Sequence, residues 1–234
     1  MLTHVTLTGV DKETDFSKIW ALSKRFPIAE FGILHTNNPE GRNRYPDYEF
    51  ILEMCRFSNR FNIPFSIHFC GSSVHDLLMR DTRLLNIAYL APRIQLNIHN
   101  EKKPVELYRL LHFFDIFKKP IITQENPWNS VLNQKISNKF HEVLYDTSYG
   151  RGEIINTFGY ITSKERCGYA GGLNQDNLIE LLPKMEVAAG DKPFWLDMES
   201  SLRNDNDWFD LRKAETILKL VQSYYSFDKS VSCQ

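Results

Sequence analysis

What this chain lacks narrows it first. Its four cysteines, Cys55, Cys70, Cys167 and Cys233, are scattered and form no Cys-x-x-Cys pair. That spacing argues against a disulfide framework or a thiolate zinc site and fits free thiols in a reducing compartment, so a cytoplasmic protein is expected. No apolar run is long enough to cross a bilayer. The opening "MLTHVTLTGV" reads as a strand and lacks the basic-then-apolar layout of a signal peptide. Neither sign of charge is in excess: the formal net charge is -1. Bulk electrostatics therefore draws the chain to neither nucleic acid nor a membrane surface, and no partner of either kind is expected. There is no linker rich in Pro, Gly or Ser and no low-complexity tract, so the 234 residues are expected to form one domain.

What is present is a rhythm. Eight β-like runs recur: "HVTLTGV", "AEFGILH", "PFSIHFC", "RIQLNIH", "PIITQEN", "HEVLYD", "CGYAGG" and "PFWLDME". Their spacing of roughly 20–35 residues leaves room for a helix between successive parallel strands. Several intervening segments carry apolar residues at helical spacing, among them "DFSKIWALSKRF", "PDYEFILEMCRFSNRF", "PVELYRLLHFFDIFKK", "NLIELLPKM" and "LRKAETILKLVQSYY". The connection "GRGEIINTFGYITSKER" is Gly-interrupted and reads as a loop, and the C-terminal "SFDKSVSCQ" reads as a frayed end. Eight such units predict a single (β/α)8 TIM barrel over residues 1–234, with a doubly wound open sheet as the alternative.

The strands alternate. In "RIQLNIH", Ile94, Leu96 and Ile98 share one face and Gln95, Asn97 and His99 the other; in "PFSIHFC", Phe65, Ile67 and Phe69 oppose Ser66, His68 and Cys70. A barrel strand packs its outer face on helices, so the apolar set belongs outside and the polar set inside. Buried polar groups need partners. A polar interior near strand C-termini therefore points either to a ligand site or to a hydrogen-bonded core network. The predicted mouth is lined by Thr8, His35, His68, Asn97, Gln124, Asp146 and Asp197.

"GYAGGLNQDN" places Gly171 and Gly172 between the seventh strand and a helix, with Asn174 as a prospective cap. Such a stretch is either a tight turn or an anion cradle. The loops after strands seven and eight of a barrel commonly hold phosphate through backbone N–H groups and a helix N-terminus. The eighth strand runs into "WLDMESSLR", where Ser200 and Ser201 add hydroxyl donors.

These residues resemble a known family. "YAGGLNQDNL" is similar to the seventh-strand motif of phosphoribosylanthranilate isomerases; "FWLDMESSLR" with "FDLRKAETIL" resembles their eighth strand and last helix; "VLYDTSYGRG" resembles their sixth-strand Asp and Gly-rich loop; "FGILH" resembles their second strand. The likeness runs through the chain in order and is specific in its last third. It implies the ribulose-phosphate-binding barrel class, a phosphorylated small-molecule partner, no cofactor, and an Amadori rearrangement with a Cys base and an Asp acid. Asp146 matches the general acid, and Gly171, Gly172 and Ser200, with Ser201 beside it, match the phosphate loops. The base position holds Thr8 and the preceding Lys position Thr6. A Thr hydroxyl is no base near neutral pH.

His68 is the candidate replacement base, since imidazole titrates near neutrality. His35, Asn97, His99, Arg151 and Asp197 complete the expected substrate contacts. Three histidines near two carboxylates also contain metal-ligand types, but the first strand lacks the His-x-His of metal-dependent hydrolase barrels, and no metal is expected. The functional expectation is isomerase-like chemistry on a phosphorylated sugar or nucleotide-type molecule. The alternatives are a catalytically inactive barrel that sequesters such a ligand, and a hydrolase using the carboxylates with or without a metal. Arg42 and Arg44, in "NPEGRNRYPD", are either solvated or close over an anionic ligand.

Overall fold

The computed structural model describes residues 1–98, 104–146, 158–159 and 166–231, with side chains to residue 226. Eight strands, β1 (Leu2–Thr8), β2 (Ala29–Thr36), β3 (Phe65–Cys70), β4 (Arg93–Asn97), β5 (Ile121–Glu125), β6 (His141–Asp146), β7 (Cys167–Ala170) and β8 (Phe194–Met198), pair in sequence order and close into a barrel. All pairs are parallel, and β8 returns to β1 with Thr6 opposite Asp197. The fold is the expected (β/α)8 TIM barrel. The Gly-interrupted segment between β6 and β7 lies, apart from Phe158, Gly159 and Arg166, outside the described residues.

The helices are α1 (Phe16–Arg25), α2 (Tyr48–Phe61), α3 (Ser72–Leu78), α4 (Thr82–Leu90), α5 (Leu107–Phe117), α6 (Ser130–Lys135), α7 (Leu178–Ala189) and α8 (Leu211–Val231). In α2 the sequence logic is plain. The Asp47 carboxylate accepts from the Phe50 N–H at 2.9 Å and caps the first turn, while Asn62 ends the helix in the left-handed region at φ 53°. Ile51, Leu52, Met54, Cys55 and Ser58 form its buried stripe. Each large apolar side chain so buried contributes about 1.5–3 kcal/mol. Two features depart from the sequence reading. α4, capped by Asp81 and burying Leu84, Ile87 and Ala88, adds a helix between β3 and β4. α8 also continues past the expected frayed point to Val231.

The outward-facing residues, including Leu7, Phe31, Ile33, Phe65, Ile67, Phe69, Ile94 and Leu96, are fully buried under the helices. Inside, the barrel is polar in two tiers joined by a small apolar cluster of Ile122, Leu144, Ala170 and Trp195. Trp195 fits because Gly168 lies opposite it on β7; a Cβ at 168 would collide with the indole. The tier at the strand N-termini is a buried ion cluster. Arg93 reaches Glu30 at 2.9 Å and Glu142 at 3.0 Å, Thr6 donates to Glu30 at 2.9 Å, and the guanidinium lies 4.7 Å from the Trp195 ring centroid. Here the hydrogen-bonded core network is realised. The second tier, at the strand C-termini, opens into a cavity.

Candidate functional site

A cavity of about 490 Å³ lies at the C-terminal mouth of the barrel. Its lining includes His68 and Cys70 from β3, Gln95 and Asn97 from β4, Gln124 from β5, Asp146 from β6 and Asp197 from β8, with Gly171, Gly172, Ser200 and Ser201 from the last two loops. This is the end of the barrel at which loop sequence can vary without disturbing the core.

Asp197 is a strongly perturbed acid here. Burial pushes its carboxyl from 3.8 up to about 7, the Thr8 hydrogen bond opposes the rise, and the charges of Glu199 and Asp146 add to it. Thr8 donates from Oγ1 to Asp197 Oδ1 at 2.6 Å. Thr8 lies beneath the cavity rather than along it, against Gly32, where any Cβ would strike its hydroxyl. The residue at the resembled family's base position thus orients a carboxyl.

His68 is 1% exposed, shares a 3.0 Å hydrogen bond between Nε2 and Ser66 Oγ, and holds Nδ1 4.0 Å from Asp197 Oδ2. Burial drives its pKa down to about 3. It is therefore neutral at pH 7 and only weakly basic, which suits it to hydrogen bonding better than to the proton abstraction expected from the sequence. Burial likewise pushes the Cys70 thiol up to about 12, so it is not a thiolate near neutrality.

Asp146 closes β6 and is 5% exposed; Gln124 Nε2 donates to its Oδ2 at 3.3 Å. Across the mouth, the β2–α2 loop is clasped to the segment after β8. Arg44 bonds Glu199 at 2.8 Å and Asp207 at 2.7 Å, and Asn43 Nδ2 donates to the Asn206 carbonyl at 2.9 Å. The clasp brings Arg42 and Tyr45 to the cavity wall, so these loop arginines are more than solvated surface. Sequence reasoning could not pair Arg44 with partners some 155 and 163 positions away.

At the glycine loop, Gly171 and Gly172 have φ of 102° and 64°, in the region that favours glycine. The Gly172 carbonyl accepts from Asn174 Nδ2 at 3.2 Å and Asn177 Nδ2 at 2.9 Å. The Asn174 and Asn177 side chains also accept reciprocally from each other's backbone N–H. This is a capping box built from two asparagines. The stretch is therefore a tight turn, and its backbone also lines the cavity. Ser201 Oγ is buried at the rim with no hydrogen-bond partner among the described residues.

One expected contact is misplaced. His35 shares the outer face of β2 with Phe31 and Ile33, packs edge-on to Phe69 at 5.8 Å and does not line the cavity. Period-two phasing puts Gly32 and Leu34 inward instead. His99 and Arg151 lie outside the described residues. Among the described residues no group of three His, Cys, Asp or Glu side chains is placed to hold a metal ion, and no helix is long and apolar enough to cross a membrane.

No protein-family model and no curated protein matches the sequence. Solved structures match the fold. A truncated 3-deoxy-D-arabino-heptulosonate 7-phosphate synthase from Thermotoga maritima is 12% identical over 97% of this chain and 88% of its own, with a TM-score of 0.58. A D-psicose 3-epimerase solved in the presence of D-fructose is 9% identical over 97% and 98%, with a TM-score of 0.52. The D-psicose 3-epimerase of Clostridium cellulolyticum H10, solved with D-tagatose, is 10% identical over 97% and 98%, with a TM-score of 0.50. At such identities the likeness is one of fold.

Proposed function

We propose that this barrel performs isomerase-type acid–base chemistry on a phosphorylated sugar or phosphoribosyl compound, as its resemblance to phosphoribosylanthranilate isomerases implies. The observation that carries this reading is the convergence of Asp146 and Asp197 on one cavity, with Asp197 titrating near 7. In the form that reacts, Asp146 holds a proton and gives it to the ring oxygen as the sugar opens. Asp197, in its ionised form, takes the proton from the carbon next to the anomeric centre. That proton's removal and a proton's return to the neighbouring carbon interconvert aldose- and ketose-level carbons without net oxidation. Thr8 holds Oδ1 of Asp197 and leaves Oδ2 for the reaction. The phosphate would rest against the backbone of Gly171 and Gly172, with Ser200 and Ser201 at the rim. The structural neighbours are two D-psicose 3-epimerases and a 3-deoxy-D-arabino-heptulosonate 7-phosphate synthase, which is in keeping with this class of substrate.

The test is incubation with phosphoribosyl amines and pentose phosphates in D2O, followed by NMR and mass spectrometry. Solvent deuterium should enter the substrate at one carbon, and Asp197→Asn should slow this by about 10²–10⁴-fold. Activity rising with pH through about 7 is expected for Asp197 as base. Unchanged exchange in Asp197→Asn would remove Asp197 from the mechanism. A phosphorylated ligand bound and recovered with no deuterium would favour a sequestering barrel.

A further inference from the structure

The cavity floor carries a directed chain of hydrogen bonds. The Cys70 thiol donates to the backbone carbonyl of His68 at 3.6 Å. A backbone carbonyl cannot exchange roles, so the sulfur is left as an acceptor. It accepts from Asn97 Nδ2 at 3.1 Å. That fixes which end of the Asn97 amide faces Gln95, and Asn97 Oδ1 accepts from Gln95 Nε2 at 2.8 Å. The Gln95 amide is thereby oriented as well, its Nε2 toward Asn97. What remains is Gln95 Oε1. It is buried on a residue 2% exposed, it belongs to a side chain lining the cavity, and it has no hydrogen-bond partner among the described residues. The high pKa of Cys70 keeps its proton in place at neutral pH.

A buried acceptor left over in a network so ordered calls for a donor from outside the protein. Gln95 lies two residues before the end of β4, opposite His68 on β3, and so below the glycine loop at the rim. We propose that Gln95 is the specificity-determining residue of this site, and that its Oε1 accepts a hydroxyl from the end of the substrate farthest from the phosphate. This rests on the sugar-phosphate reading above and narrows it to substrates with a free distal hydroxyl. A distal deoxy or methyl end would leave the acceptor unpaired, and sites built to bond a hydroxyl reject analogues that lack it.

The experiment uses two pairs of probes and inorganic phosphate, with dissociation constants from calorimetry. The phosphorylated pair is D-ribulose 5-phosphate and its 1-deoxy analogue; the neutral pair is 5-deoxy-D-ribulose, with one terminal hydroxyl, and 1,5-dideoxy-D-ribulose, with none. Wild type should favour the hydroxylated member of each pair by about tenfold to a hundredfold. Gln95→Leu should erase that preference while leaving the affinity for inorganic phosphate unchanged. Cys70→Ala frees the chain to reorient and should weaken the preference, whereas Cys70→Ser, which can still donate to the His68 carbonyl, should retain it. Equal affinities within both pairs in wild type would overturn the assignment. So would a preference that survives Gln95→Leu, or one untouched by Cys70→Ala should Gln95→Leu not fold. A neutral pair that is discriminated while phosphate binds nowhere would support Gln95 and refute the phosphate site alone.

Discussion

The two ends of the barrel interior are both polar, and they solve the problem of buried charge in opposite ways. At the N-terminal end two guanidinium groups, Arg93 and Arg166, face two carboxylates, Glu30 and Glu142, at 2.9–3.3 Å. At the C-terminal end Asp146, Asp197 and Glu199 share the mouth, and Arg44 divides itself between Glu199 and Asp207. The first set is balanced and closed, as a structural network must be. The second leaves Asp197 buried with a hydroxyl partner and no Lys or Arg ion pair among the described residues, and burial first, then neighbouring negative charge, raises its pKa to about 7. Residual imbalance of charge, rather than polarity as such, separates the site from the scaffold.

The comparison breaks most sharply at Arg93. Arg93→Met should destabilise the protein by about 3–5 kcal/mol, because Glu30 would stay buried without its guanidinium partner and Glu142 would keep only Arg166. Replacing all three with Met or Leu should recover most of that loss. Urea midpoints measure both. A loss below about 1 kcal/mol for the single variant would mean that the lower tier is not a structural unit.

The upper tier should respond with the opposite sign. Asp197 holds its proton more tightly folded than unfolded, so between pH 3.8 and about 7 the native state binds more protons and stability falls as pH rises. Asp197→Asn removes that loss and should stabilise the protein at pH 8, with a ceiling of about 4 kcal/mol at about 1.4 kcal/mol per pKa unit. His68 acts in the other direction. Its folded pKa of about 3 lies below the unfolded 6.5, so its contribution grows with pH across that window. In wild type the two slopes offset each other between about pH 4 and 6.5. Asp197→Asn should expose the rising slope in thermal melts, and a profile parallel to wild type would show that Asp197 ionises normally.

The sequence made this architecture legible because strand alternation and helix periodicity are local. The polar faces of β3 and β4 could be read directly from Ser66, His68, Cys70, Gln95 and Asn97. Phasing failed at β2, where His35 is the polar residue that stands out but Gly32 is the inward one, emptied to admit Thr8. The Arg93 cluster was hidden because its partners are 49 and 63 positions distant. The opposite pKa shifts of His68 and Asp197 were hidden for a different reason. Burial moves imidazole and carboxyl pKa values in opposite directions, and burial belongs to the fold.

An intermediate effect is expected at the glycine loop. Gly171→Val should weaken binding of inorganic phosphate by about tenfold to a hundredfold, since a branched side chain would screen the backbone N–H groups. At φ 102° it should also strain the turn, by about 1–3 kcal/mol. Calorimetry on protein shown to be folded separates the two. Unchanged phosphate affinity would leave the loop as a turn alone.

The smallest effect is expected at Arg44, which tests whether the mouth's acids are coupled. Its ion pairs are partly exposed, with side chains 26–33% accessible. Arg44→Gln should therefore cost only about 0.2–1 kcal/mol, and less in 1 M salt, where the Debye length falls to about 3 Å. The electrostatic consequence should outlast the energetic one. Burial raises the Glu199 pKa and Arg44 opposes that rise, while burial and then the charge of Glu199 push that of Asp197 up. Without Arg44, Glu199 should titrate higher, and the two carboxyls should share protons over a broader range. NMR of the carboxyl carbons should show the Glu199 midpoint rising and the Asp197 transition broadening. Removing Arg93 should not reproduce this pattern, because it lowers the pKa of Asp197 directly. If Glu199 does not move, the clasp is mechanical only, and the difference between the two ends of the barrel lies in Asp197 alone.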